Sequence, residues 1–199
     1  FILFYGKGVM KWTYGKIRKE FIQTQNPYSN DAFYFLTESP DNSKIATTLT
    51  SPPDLLGNYV TTFQDYYLHE KELVNISRTG RNFYGESFKD EKSQTFNFEL
   101  SGIAQSTPEN ATISYEFISL PVKAKASLQV SVNQTNTKTQ TIEIPSSSYA
   151  VVSAITNSYS QTLDENNQIN FEYIQGSAND KNTYLNYFRI NYAKELRPY

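Results

Sequence analysis

The feature that most constrains this chain is a two-residue hydrophobic period that sets in at Thr95 and recurs almost to the last residue. Phe96, Phe98 and Leu100 alternate with Thr95, Asn97 and Glu99, and Ile113, Tyr115 and Phe117 alternate with Thr112, Ser114 and Glu116. The period returns in Leu128, Val130 and Val132, in Ile142 and Ile144, and in Ile169, Phe171 and Tyr173. Successive side chains of a strand point to opposite faces, so this spacing means strands with one buried and one wet face. Adding residues 149–155, 159–163 and 184–193 gives eight candidate strands. Turn-forming runs at 133–137, 164–167 and 176–181 lie between them. Such spacing predicts a jelly-roll-like β-sandwich over residues 94–199.

Residues 1–93 are less regular. Strand-like stretches at 1–5, 12–14, 32–37 and 60–68 are broken by loops at 26–31 and 51–54. The run from Glu70 to Ser77 fits a helix of two turns stopped by Thr79-Gly80. The expected architecture is therefore all-β: a smaller β-rich unit over 1–93 with one short helix, then the sandwich over 94–199.

Composition agrees. The chain has 16 Tyr and 13 Phe against one Trp, and Ser, Thr and Asn supply 57 of its 199 residues. Tyr, Phe and Thr suit strands, while Asn and Ser suit the turns between them. This is the usage of a β protein working outside the cytoplasm. Phe1 opens the chain in mid-strand, so the chain is expected to be a piece of something longer.

Several function classes drop out. Eighteen basic against twenty acidic residues give a formal charge of −2, too balanced to hold nucleic acid or anionic lipid by bulk charge. No apolar run approaches the roughly 18 residues of a spanning helix, so no membrane-spanning helix is expected. With no Cys, thiolate nucleophiles, disulfides and thiolate metal sites are absent. With one histidine, His69, imidazole cages and dyads are hard to build. No cofactor, metal or catalytic residue is expected in this chain.

The remaining motifs read first as structure. His69, in Tyr66-Tyr67-Leu68-His69-Glu70, has no recognisable nucleophile to serve. Sequons at Asn75, Asn110 and Asn133 are expected by chance in so Asn-rich a chain. The acidic pairs Asp90-Glu91 and Asp164-Glu165 lack the spacing of a calcium loop and read as solvated turns. The abundant rings could line a sugar-binding surface, or simply fill a two-sheet core.

One segment differs from its surroundings: Ser77-Arg78-Thr79-Gly80-Arg81-Asn82-Phe83-Tyr84-Gly85-Glu86-Ser87-Phe88. Gly80 and Gly85 permit tight backbone geometry, Arg81 and Glu86 are candidates to pair, and Tyr84 and Phe88 can close the segment from water. It reads as a packed junction or interaction motif.

This segment and its approach from Asp65 to Ile76 resemble the region ahead of the peptidase domain in the PorU family. Those are gingipain-type cysteine peptidases that act as sortases of the type IX secretion system of Bacteroidota. The family pattern runs roughly His-x-Glu, Asn-[Leu/Ile], then Ser-Gly-Arg-x-[Trp/Phe]-[Phe/Tyr]-Gly-Glu-x-Phe. Here it is met by His69, Glu70 or Glu72, Asn75, Ile76, Gly80, Arg81, Phe83, Tyr84, Gly85, Glu86 and Phe88, with Thr79 in place of the usual Ser. Three further stretches are similar in the same order: Leu3-Phe4-Tyr5-Gly6-Lys7-Gly8 with Trp12 and Tyr14, residues 25–37, and residues 184–192. The last departs at Tyr184 and Asn186, where the family usually has Trp and Asp. The resemblance implies an exported protein of the Gram-negative cell surface or outer membrane, whose catalytic His and Cys lie downstream. This chain would then be the non-catalytic scaffold, with the peptidase domain of the same chain, outer-membrane secretion components and cargo proteins as its partners. The alternative reading is a carbohydrate-binding β-sandwich with a glycan partner.

Overall fold

In the computed structural model, the residues described are 6, 8–26, 28–29, 31–36, 60–76, 82–105, 109–120, 125–143, 153–175 and 183–196. The alternation decides how they pack. Strands β3 (Thr62–Glu70), β10 (Thr183–Glu195), β5 (Ala111–Ser119) and β8 (Ser153–Gln161) lie side by side in that order. A second sheet has the order β4 (Ser93–Glu99), β9 (Asn166–Ile174), β6 (Ala126–Val132) and β7 (Thr135–Ile142). All neighbours in both sheets are antiparallel. The two apolar faces close on each other as an all-β sandwich. A separate hairpin joins β1 (Lys11–Gly15) to β2 (Glu20–Thr24).

An aromatic seam joins the sheets. Phe188 of β10 lies 5.5 Å from Phe96, 6.0 Å from Phe98 and 5.8 Å from Phe171, ring centre to ring centre, all three on the opposite sheet. Phe171 in turn meets Tyr115 and Phe117 of β5 at 5.6 and 5.0 Å. Most of these contacts are tilted or edge-on, which the ring quadrupoles favour. Leu128, Val130, Ile169 and Ile190 fill the space between them without reaching solvent.

The outer face of the first sheet is also partly covered. β10 carries a bulge between Leu185 and Tyr187. An extra residue there turns both Asn186 and Tyr187 outward, while Leu185 and Phe188 stay in the core. The β1–β2 hairpin lies over the rows that follow: Trp12 stacks on Tyr66 at 3.7 Å, and the Phe21 N–H donates to Asn191 Oδ1 at 2.7 Å. Beneath it Arg189, only 4% exposed, pairs with Glu20 at 3.6 Å, donates to Gln23 Oε1, and sits 5.8 Å from the Tyr187 ring.

Several expectations need correction. No helix forms among the described residues, and none there is long and apolar enough to cross a membrane. Glu70 instead closes β3, and the N–H groups of Leu73 and Val74 donate to the Tyr84 carbonyl at 2.9 Å. A two-turn helix cannot offset its nucleation cost against such pairing. Of the strands expected at 149–155 and 159–163, residues 149–152 lie outside the described residues and the rest do not form two strands: β8 runs unbroken through Thr156, Asn157 and Ser158, opposite Glu116, Tyr115 and Ser114. Turn-forming residues are tolerated there because one face of this edge strand is wet. The turn expected at 133–137 shrinks to Asn133 and Gln134, both left-handed at φ 50° and 60°, so β7 begins at Thr135. That pair of dihedrals matches a two-residue hairpin turn. Residues 31–36 form no ladder, and Phe35 is 97% exposed. The eight sandwich strands are thus seven from Ser93 onward plus β3, with the 93/94 boundary falling inside β4.

Phe188→Ala is expected to lower unfolding free energy by about 3–5 kcal/mol in urea titrations, as for other buried Phe truncations. A loss under about 1 kcal/mol would show that this seam does not hold the sheets together.

Candidate functional site

The distinctive segment is built into the end of the first sheet. Tyr84 bridges to Val74 on one side, and Ser87 bridges to Tyr184 on the other. The Gly85 N–H donates to the Leu185 carbonyl at 2.8 Å and the Phe88 N–H to that of Thr183 at 2.9 Å. Gly85 is wedged between two backbones: a Cβ there would lie 3.1 Å from the Leu185 oxygen and 3.2 Å from the Lys71 oxygen. Phe88 is buried against Phe117 at 5.3 Å, and Tyr84 is buried as well. Gly80 and Arg81 lie outside the described residues, and so does the proposed Arg81–Glu86 pair.

Glu86 has other partners. Its Oε1 accepts from Lys71 Nζ and hydrogen-bonds His69 Nε2, both at 3.0 Å. Burial alone would raise this carboxyl. The bonds from His69 and Lys71 outweigh it and bring the pKa down to about 2. His69 is stacked on Phe188 at 4.9 Å and touches Phe96 at 4.8 Å. The only imidazole of the chain therefore packs against core rings and orients a carboxylate.

Next to this junction the outward face of the sheet opens into a cleft of about 650 Å³. Its floor is one cross-strand row: Glu70 of β3 pairs in register with Tyr187 of β10, which pairs with Glu116 of β5. The bulged Asn186 stands beside them and donates to Glu116 at 2.5 Å. The walls come from Gln23, Gln25 and Asn26 at the end of the hairpin and from Asn82, Phe83 and Tyr84 of the distinctive segment. With its amide turned to suit both neighbours, the Gln25 nitrogen donates to Glu72 Oε1 at 2.7 Å and to Glu70 Oε1 at 3.0 Å.

These carboxyls are held at a cost. Burial raises the Glu70 pKa, and the Glu72 charge raises it further, against the Gln23 hydrogen bond. Burial raises Glu72 too, against bonds from Gln25 and the Phe83 backbone. Glu70 Oε2 is buried without a hydrogen-bond partner. Among the described residues, no group of acidic or imidazole side chains is gathered as a metal ion would require. The cleft can therefore offer amide donors, carboxylate acceptors and ring faces, arranged for binding.

The other sequence motifs resolve simply. The Asn110 amide donates to the carbonyls of Ala104 and Leu163, and its oxygen accepts from the Leu163 N–H, so this sequon is buried structure. Asn133 Nδ2 donates to Asn167 Oδ1 and its Oδ1 accepts from the Gln168 N–H, tying the β6–β7 turn to β9. The row Glu70–Tyr187–Glu116 was not legible as a site, because nothing in the sequence says which strands are neighbours. Only the register reveals it.

No family model matches the chain, and no curated protein matches it. Among solved structures, the crystal structure of dimeric latent PorU from Porphyromonas gingivalis superimposes on 98% of the chain with a TM-score of 0.68, at 18% identity. The fold is PorU-like. The chain spans 18% of the length of that protein. A family 35 carbohydrate binding module from Clostridium thermocellum matches 65% of the chain and 90% of its own length, at 14% identity and a TM-score of 0.37. An exo-β-1,3-galactanase from Phanerochaete chrysosporium matches 59% of the chain and 32% of its own length, at 18% identity and 0.28.

Two outcomes follow from the geometry. Glu86→Gln should cost on the order of 3 kcal/mol at neutral pH, because a carboxyl lowered in the folded state stabilises above its ordinary value near 4.5. That contribution is lost as pH falls through about 2, so melting curves of the variant and the parent should converge on acidification. Parallel curves from pH 7 to pH 2 would contradict the assignment. Glu70→Gln should act oppositely: its raised pKa makes the charged form a burden above that pKa, so the variant should melt higher at pH 7 and lose the advantage below pH 4. A lower melting temperature at pH 7 would show that the charge is stabilising.

Proposed function

We propose that this chain is the non-catalytic β-sandwich region that precedes the peptidase domain of a PorU-like sortase, a gingipain-type cysteine peptidase of the type IX secretion system. The observation that carries the reading is the coincidence of two independent facts. The motif series of the resemblance keeps its order along the chain, and a PorU-like fold extends over 98% of it. The side chains agree with a supporting role: no cysteine is present, and the single imidazole is packed on Phe188 and bonded to Glu86. In this reading the region sits at the cell surface or outer membrane of a Gram-negative bacterium. There it positions the peptidase domain of its own chain relative to outer-membrane secretion components and cargo. The distinctive segment is its candidate contact with that domain, because it ties β10 to the end of β3 and presents Phe83 outward.

A second reading, a carbohydrate-binding β-sandwich, is favoured by one observation: the amide, carboxylate and aromatic lining of the cleft on the outward face of β10. The two readings are compatible, since an accessory region can hold a sugar.

The coding sequence on the C-terminal side of Tyr199 tests the first reading. A peptidase domain with a His/Cys dyad is expected there. A gene that ends near this point, or continues into an unrelated module, would overturn it.

A further inference from the structure

Which saccharides the cleft accepts follows from its charge, given the carbohydrate reading. Amide groups from Gln23, Gln25, Asn82 and Asn186 offer both donors and acceptors, as the hydroxyls of a sugar ring do. Two rings stand at the rim where folding alone would hide them: Tyr28 is 85% exposed and Phe83 is 40% exposed. Exposed rings beside a concave, hydrogen-bonding surface are suited to stack on the apolar face of a pyranose. The asymmetry is in the charges. Glu70, Glu72 and Glu116 line the cleft, and among the described residues no Lys, Arg or His does. Among the described residues Arg189 is buried beneath the hairpin with Glu20 and Gln23.

We infer that the cleft between the end of the β1–β2 hairpin and the Glu70–Tyr187–Glu116 row binds glycans that are neutral or carry an amine, and that it rejects those carrying carboxylate, sulfate or phosphate. A further negative charge beside three carboxyl groups in so confined a space would meet repulsion that no cation among the described residues offsets. An ammonium group would relieve the repulsion already present between Glu70 and Glu72.

An array of neutral, amino and acidic glycans, probed with the whole chain, finds the preferred scaffold. Calorimetry then compares the best neutral ligand with its 2-amino and C6-carboxylate analogues. The carboxylate form should bind at least tenfold more weakly than the neutral form, and the amino form at least as tightly. Glu116→Gln, which keeps the side-chain shape, should narrow the carboxylate penalty, and Tyr28→Ala, at an exposed ring, should weaken all three at least fivefold. Equal or tighter binding of the carboxylate form would overturn this inference and leave the carbohydrate reading standing. No binding of any glycan at millimolar concentration would remove both, and would leave the PorU-like reading untouched.

Discussion

Strand β10 is buried on both faces and hydrogen-bonded along both edges, and the rest of the structure depends on that. Its inward residues, Leu185, Phe188, Ile190 and Tyr192, hold the two sheets together. Its outward residues, Tyr187, Arg189 and Asn191, seat the hairpin and floor the cleft. A strand that carries both duties cannot read as clean alternation of apolar and polar, and this one does not. The bulge at Asn186 reconciles them by letting two consecutive side chains face outward without taking Leu185 or Phe188 from the core. Edge pairing to β3 and β5 then fixes which carboxylates flank Tyr187.

The outward face is polar and partly dehydrated, a combination that is unfavourable unless every group is matched. Arg189 is matched by Glu20, Gln23 and the Tyr187 ring, although its Nε is buried without a partner. Glu86 is matched by His69 and Lys71 on Oε1, while its Oε2 is buried without a partner. Glu70 is held by Gln23 and Gln25, and its Oε2 is buried without a partner. Stability would be served better by an amide or an apolar side chain at position 70. Proteins keep such costs mostly where a ligand or partner later removes them. The raised carboxyls of Glu70 and Glu72 set the cleft apart from Glu86, whose pKa is lowered by its cationic and imidazole neighbours.

Strong alternation made β4, β5, β6 and β9 legible from the residues, because each has one face in the core and one in water. β8 was harder, since Thr156, Asn157 and Ser158 favour turns in isolation and are held extended only by the ladder to β5. β2 escaped notice because Glu20 and Gln23 look like surface residues. They are instead partners of the buried Arg189, 166 residues beyond Gln23 in sequence but adjacent in space. Gly85 and Glu86 stood out by composition, yet their partners, the Leu185 carbonyl and the His69–Lys71 pair, come from strand pairing that periodicity does not encode. The expected helix failed for a local reason: Leu73 and Val74 found backbone acceptors across the chain.

Native-state amide hydrogen exchange, resolved by residue, tests the central role of β10 most directly. The amides of β10 that face β3 and β5 should exchange only through global unfolding, with the same free energy as those of β5 and β9. The outer edges of β7 and β8 should exchange orders of magnitude faster. If β10 exchanged as fast as those edges, it would not be the strand on which both the sandwich and the cleft are built.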